Sequence, residues 1–477
     1  QLAEGLVKPN KGITSEFLQK KESLLVKLSL LTKEIGQTDK KEDGKLIKLK
    51  DEYQKTENEF EDLLVKIRLE NPLYASIQYP EPITVADLQK NTLKENEVLI
   101  QYFITAKKVY VFLVSKKEFK IVPLEISEKD INKMAEDFLQ PFNRDGAKTR
   151  ITIPMLNRWL KRCSNNLYQS VFKPIENALD GKTDIIIIPD RQLALIPFET
   201  FVIKNTNSGK PVHLLEKYRV KYIQSPSTLS ILRKYYQREG NRNDFIGFGD
   251  PVYNYENFEK GKPERGIPGP GNSDEIKEIH RGKYDREGGM FNRLPGSGQE
   301  VETIAGLFKC KNQKSAVYLR EQATEENAKS IDMKEYDYIH FSCHGILGEN
   351  FQSLVLSQIP QAKEDGYLTL NEIMNCDYNA KLVVLSACQT GNGKMERAEG
   401  VTGLTRAVMY AGTPAVVASL WSVSDTGTKE LMVKFYTNML DKKMSKEDAL
   451  RQAKLEMIKE GKYSSPYYWS AFVMYGE

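Results

Sequence analysis

The sequence predicts an α/β protein: a mostly parallel sheet with helices on both faces, entered through a helical arm. Three observations predict this. From residue 184 onward, apolar runs of strand length alternate with helix-length amphipathic segments, the rhythm of strand–helix units on a parallel sheet. "DIIIIPD" (184–190) is an unbroken run of four isoleucines, which suits a strand covered on both faces. Before it, "EVLIQYFITAKKVYVFLVS" (97–115) alternates and turns at Lys107-Lys108, as a β-hairpin does.

The arm comes first. Phe17, Leu24, Leu28, Leu31 and Ile35 form one stripe that Gly36 closes. Leu46, Leu49, Tyr53, Thr56, Phe60, Leu63 and Ile67 then step by threes and fours, like a coiled-coil seam, until Pro72 stops the helix. Residues 1–72 therefore predict a helical hairpin, or equally the tail of a helical repeat array, although no repeat period survives inside the chain. The chain opens on Gln1 rather than Met, so an upstream repeat or sensor segment is expected.

Residues 73–251 predict a second unit: the β-hairpin, helical segments over 128–178, the strand at 184–190 and a strand "FIGFGDP" (245–251). Residues 252–297 are dense in Gly, Pro and charge, and predict a flexible loop with nothing to bury. Residues 298–477 predict a third unit. Its strands are 315–320, 336–343 ("YDYIHFSC"), 381–388 ("KLVVLSAC"), 414–421 ("PAVVASLW") and 468–476, with helices at 299–308, 322–330, 398–411, 427–440 and 446–460. Ser445 with Asp448, and Gly461 beyond, mark the ends of the last helix.

Composition excludes several functions. The 477 residues carry a net charge of only +4, with lysine and glutamate intermixed, which argues against direct nucleic-acid binding or a membrane surface. No run of about 18 apolar residues and no basic-then-apolar leader is present. The five cysteines (163, 310, 343, 376, 388) make no dense framework, so a reducing cytoplasm is expected.

The chemistry turns on "YIHFSCHGILG" (338–348). His340 and His344 are spaced like metal ligands on a helix, but this segment reads as a strand. There, four residues span about 13 Å, too far for one zinc. With no CxxC or HExxH elsewhere, no metal and no cofactor is expected. His340, inside the apolar run, reads as a core histidine. His344 stands at the strand's carboxyl end before Gly345, where open parallel sheets bind ligands and a general base belongs. Cys388 ends the next strand candidate, before Gly391 and Gly393, and a parallel neighbour would bring it beside His344. A buried structural cysteine fits the spacing as well. Cys343 points to the other face of the strand from His344 and reads as structural.

"YIHFSCHG", "LVVLSACQTGNG", "GLTRAVMYAGTPAVVASLWSVSD", "LMVKFY" and "SPYYWSAFVMYG" together resemble the CHAT family, caspase-like domains often appended to tetratricopeptide repeats. "DIIIIPDRQLALIPFETF", "LLEKYRVKYIQSPSTL", "FIGFGDP" and "LPGSGQEVETIAGLF" fit its earlier blocks in order, and "NPLYASI" its N-terminal extension. The resemblance implies a caspase/separase-type cysteine peptidase fold, with a pseudo-caspase half before an active half and a role in bacterial signalling or defence. It carries a His/Cys dyad onto His344 and Cys388, and an oxyanion hole onto the backbone N–H groups of Gly345 and Cys388. Ser386 stands where caspases have glutamine, which argues against a preference for aspartate. "ASLWSVSD" (418–425) resembles the separase segment that reads an arginine, so Trp421, Ser422 and Asp425, with Ser386, are the candidate pocket and cleavage after a basic residue is expected. Asp425 equally suits the N-cap of the following helix. The expected function is cleavage of a specific protein partner under an upstream sensor. The alternatives are a silent caspase-like scaffold and a small-molecule thiol hydrolase.

Overall fold

The computed structural model describes all residues except 1–18, 21–22, 25–26, 29–30, 32–42, 71–81, 143–151, 237–243, 263–290, 348–351, 390–398 and 422. The strands, in chain order, are β1 (Glu97–Ile104), β2 (Val109–Ser115), β3 (Phe119–Leu124), β4 (Asp184–Ile188), β5 (Val202–Asn205), β6 (Pro211–His213), β7 (Arg219–Tyr222), β8 (Phe245–Pro251) and β9 (Ser315–Arg320). They continue with β10 (Tyr338–Ser342), β11 (His344–Leu347), β12 (Gln352–Val355), β13 (Tyr367–Thr369), β14 (Leu382–Leu385), β15 (Cys388–Gln389), β16 (Ala415–Ser419) and β17 (Phe472–Gly476).

Eleven of these form one sheet in the order β3-β2-β1-β4-β7-β17-β16-β14-β10-β8-β9. Its pairings are parallel except β1–β2, β2–β3 and β16–β17. The expected alternation of strands and helices is thus a single, mostly parallel sheet flanked by helices. Ile185, Ile186 and Ile187 of β4 are fully buried, as an isoleucine run in a doubly covered strand requires.

The two expected halves meet without a break. Tyr475 of β17 pairs with Tyr222 of β7, their rings 5.5 Å apart. Beside that seam Lys454, from the helix Lys446–Glu460, reaches Glu199 of the first half at 3.0 Å. Strand order also departs from chain order. β8, grouped by sequence with the first half, lies between β10 and β9 in the second. Chain proximity groups β8 with β7, but the sheet order is decided by which edges pair, and helices supply the crossovers.

The arm includes the helix Asp43–Glu70, whose Thr56 and Leu63 are buried and whose Glu52 bonds Lys27 at 3.1 Å. The segment expected to bury nothing does otherwise at both ends. Val252 and Tyr253 on one side, and Phe291 and Leu294 on the other, are buried, and Tyr253, Phe291 and Leu294 cluster with Val355. Tyr255–Glu259 of the expected loop form a short helix, and residues 263–290 lie outside the described residues. The next helix, Pro295–Lys309, starts four residues earlier than expected because Pro295 presets the helical φ at its first position.

Candidate functional site

The site forms where two neighbouring strands leave the main sheet together. β10 ends at Ser342, and after Cys343 the chain starts β11 at His344 in a second, four-stranded sheet of order β13-β12-β11-β15. β14 ends at Leu385, and after Ser386 and Ala387 the chain starts β15 at Cys388. The register survives both breaks: Tyr338 pairs with Leu382, Phe341 with Leu385, and beyond the gap His344 with Cys388. Ser386 bridges it, its N–H donating to the Phe341 carbonyl at 2.8 Å. Paired strands run about 4.8 Å apart, so the backbones of His344 and Cys388 are immediate neighbours. His344 opens a strand of its own rather than ending one, because the chain changes sheet at Cys343.

His344 is wholly buried. Its Nε2 lies 2.7 Å from the carbonyl oxygen of Asn292, and its backbone N–H donates to the Tyr253 hydroxyl at 3.2 Å. The imidazole packs on Tyr253 (centroids 4.8 Å apart) and stacks on Phe291 (5.2 Å, 30°). A carbonyl only accepts, so Nε2 carries the hydrogen and Nδ1 is the basic nitrogen of the neutral ring. Gly345 follows in β11 between Leu354 of β12 and Gln389 of β15.

The remaining residues sort by burial. His340 is the core histidine expected: its Nε2 meets Glu300 at 2.8 Å and its Nδ1 the Tyr436 hydroxyl at 3.3 Å. Cys343 is buried in the main core. Trp421 is corrected from pocket to core: it is 2% exposed, stacks on Phe142 (4.3 Å, 8°), and donates its indole N–H to the Tyr467 carbonyl at 3.2 Å. Trp421 lies just beyond β16, where the chain carries it and Leu420 alike into the apolar layer. Ser386 is buried at the carboxyl edge of the sheet. Ser422 lies outside the described residues.

Asp425 is the first residue of the helix Asp425–Leu440 and not its cap; Ser424 caps it, accepting from the Gly427 N–H at 3.2 Å. The Asp425 side chain lies against the start of the helix Pro295–Lys309. A methyl group on Gly296 would come within 2.4 Å of Asp425 Cβ and 2.6 Å of Oδ2.

Several residues escaped the sequence reading. Tyr253, Phe291 and Asn292 sit in a stretch whose composition suggested only a loop. Asp250, at the end of β8, takes a left-handed φ of 45° and is gripped by Arg293 at 2.7 Å and Arg320 at 3.1 Å. Because Arg293 adjoins Asn292, this pair pins the stretch lying on His344. The one available signal was an aspartate ending an apolar strand. Glu325, Glu364 and Glu372 bring carboxylates close enough for a metal ion. The Lys329 ammonium already stands among them at 3.0, 2.8 and 3.0 Å. No helix among the described residues is long and apolar enough to cross a membrane.

Comparison with known proteins agrees with this architecture. Human tetratricopeptide repeat protein 28 is 23% identical over 357 residues, which is 65% of this chain and 13% of that protein. The mouse protein of that name is 32% identical over 110 residues, 23% of this chain and 4% of its own length. The chain thus spans only a small part of these relatives. In fold it is similar to the Saccharomyces cerevisiae separase–securin complex, with a TM-score of 0.50 at 12% identity, covering 82% of this chain and 30% of that one. The profile of the CHAT domain matches residues 161–477, two-thirds of the chain, which is therefore a member of the CHAT domain family.

Proposed function

We propose that the protein is a cysteine endopeptidase that cuts a protein partner with a His344/Cys388 dyad. The observation that carries this reading is the in-register pairing of His344 with Cys388 on adjacent parallel strands beyond the carboxyl edge of the main sheet. His344 Nδ1 takes the proton of the Cys388 thiol, and the thiolate attacks the scissile carbonyl carbon. The oxyanion accepts from the N–H groups of Gly345 and Cys388. As the C–N bond breaks, the imidazolium returns its proton to the leaving amine. Water, deprotonated by the same nitrogen, then hydrolyses the thioester. Asn292 takes the place of a third side chain by fixing the tautomer.

Asp425 is the group proposed to read a basic residue before the scissile bond, by a charge-assisted bidentate pair, with Ser386 and Ser422 as pocket walls. The proposed organisation is a helical arm (1–72), a pseudo-caspase half (73–251, whose last strand β8 lies in the sheet beside β9 and β10 of the other half) and an active half (298–477), joined by 252–297. The arm would pass a signal from a sensor such as the repeat regions of the relatives, in a reducing cytoplasm. Incubating wild type and Cys388→Ala with candidate partner proteins tests this, followed by peptide-library profiling of wild type and Asp425→Ala. Cutting after lysine or arginine, lost in Cys388→Ala and relaxed in Asp425→Ala, is expected. Cutting that persists in Cys388→Ala would refute the dyad.

The complete burial of His344 under two aromatic rings favours a second reading, a binding scaffold without turnover. It predicts equal partner affinity for wild type and Cys388→Ala, and no cleavage by either.

A further inference from the structure

A histidine ring is held only loosely by its own covalent geometry. Rotation about χ2 is broad and roughly two-fold, so two orientations differing by a half-turn exchange Nδ1 with Cδ2 and Nε2 with Cε1 in space. Only packing and hydrogen bonds choose between them. Around His344 that choice is made by the two ends of one segment. Tyr253, just past β8, supplies a ring 4.8 Å from the imidazole, and Phe291, just before the helix Pro295–Lys309, stacks on it at 5.2 Å. The two aromatic rings also touch each other, 5.6 Å apart. The Tyr253 hydroxyl accepts from the His344 N–H at 3.2 Å and donates to the Val355 carbonyl at 3.3 Å. His344 and Val355 are register partners, so one hydroxyl ties the rung that carries the histidine.

We propose that Tyr253 and Phe291 are positioning residues, a clamp that holds the His344 ring with Nε2–H on the Asn292 carbonyl and leaves Nδ1 to serve Cys388. This deepens the dyad reading and rests on it. The residues next to Asn292 on either side do the work: Phe291 holds the ring plane, and Arg293 anchors the stretch to Asp250 at 2.7 Å. Among the described side chains the titratable group facing the imidazole is Tyr253, from the β8 side; Arg293 is turned to Asp250, and the Cys388 backbone stands in register with His344 on β15. In the clamped orientation the thiol proton passes to Nδ1, giving thiolate and imidazolium. In the flipped orientation carbon atoms take the places of both nitrogens: Nε2–H leaves the Asn292 carbonyl and Nδ1 turns from the Cys388 side, so both tautomers become populated and proton transfer is impaired.

The full chain, labelled with ¹⁵N-histidine, tests this directly. It has four histidines, and His344→Ala identifies the His344 resonances. Wild type should show His344 as the pure Nε2–H tautomer. Phe291→Leu should show a tautomer mixture, and iodoacetamide should alkylate Cys388 at pH 7 about tenfold more slowly, the equivalent of a rise of about one unit in the thiol pKa. Phe291→Tyr, which restores the ring, should return both readouts to wild type. If Phe291→Leu does not fold by circular dichroism, Tyr253→Leu replaces it under the same criteria. A wild-type tautomer and alkylation rate in the leucine variant would overturn the clamp. If His344→Ala leaves Cys388 alkylation unchanged, the dyad itself is wrong, while the tautomer spectrum still judges the clamp.

Discussion

Replacing Lys454 by methionine should lower the melting point of the whole sheet, not of one half. Lys454 stands on the helix Lys446–Glu460 and its Nζ lies 3.0 Å from Glu199 Oε1, with the two side chains 2% and 6% exposed. The other Glu199 oxygen accepts from the Tyr222 hydroxyl at 2.6 Å, and that hydroxyl accepts from the Phe198 N–H at 2.8 Å. Removing the ammonium leaves a buried carboxylate with one neutral donor. Breaking a buried pair in this way costs about 3–5 kcal/mol. The surviving Tyr222 bond places this case near about 3 kcal/mol, because one hydrogen bond to a charged group retains about 1.5–3 kcal/mol. For a cooperative unit of this size that is a fall in Tm of roughly 3–4 °C. Adding Glu199→Gln should recover most of it, since removing both charges of a buried pair is often close to neutral. Scanning calorimetry of the wild type and both variants is the assay. A single transition that moves as a unit supports one cooperative core across the β7–β17 seam. Two transitions, a single variant within 1 °C of wild type on the scale of that estimate, or a double variant as unstable as the single, would refute the reasoning.

Trp421→Ala should cost about 3–5 kcal/mol in denaturant unfolding, as a truncated core aromatic does; a loss confined to substrate preference would return Trp421 to the pocket. Gly296→Ala, which in an open helix would gain up to about 1 kcal/mol, should instead destabilise by about 1–3 kcal/mol through its clash with Asp425. Combining it with Asp425→Gly, which removes the Cβ as well as the carboxylate, should relieve the loss, and a melting point at or above wild type for Gly296→Ala alone would sink the idea. Around Lys329, burial pushes the Glu325 carboxyl up from 4.5 to about 7. Glu372 is held at about 2, because hydrogen bonds from Thr369 and Lys329 outweigh its burial. Between 4.5 and 7 the folded state therefore binds the Glu325 proton more tightly than the unfolded one, and this contribution to stability is lost as pH rises through that window. The Glu372 contribution is present above 4.5 and lost as pH falls towards 2. Glu325→Gln should remove the first effect, so plots of Tm against pH for wild type and variant should diverge between pH 5 and 7, a window taken from those values; parallel curves would contradict it.

Much of this protein was legible in the residues themselves. The isoleucine run of β4, the apolar strands that lead up to His344 and Cys388, and the helix bounded by Ser445 and Gly461 are local patterns, and local physics settles them: strand alternation, side-chain capping, a glycine at φ +88°. The equal spacing of histidine and cysteine along two neighbouring strands even implied the register that pairs them. What the residues could not determine was everything decided by pairing at a distance. β8 joins the second half because its edges match β9 and β10, a choice invisible to a reading by chain order. The indole of Trp421 fits the apolar layer by stacking on Phe142, although its neighbours suggested a pocket. Asn292, Phe291 and Tyr253 meet His344 from the two ends of a segment whose composition suggested only a loop. A backbone carbonyl has no sequence signature, because every residue carries one, and only the folded chain determines which of them a buried imidazole finds.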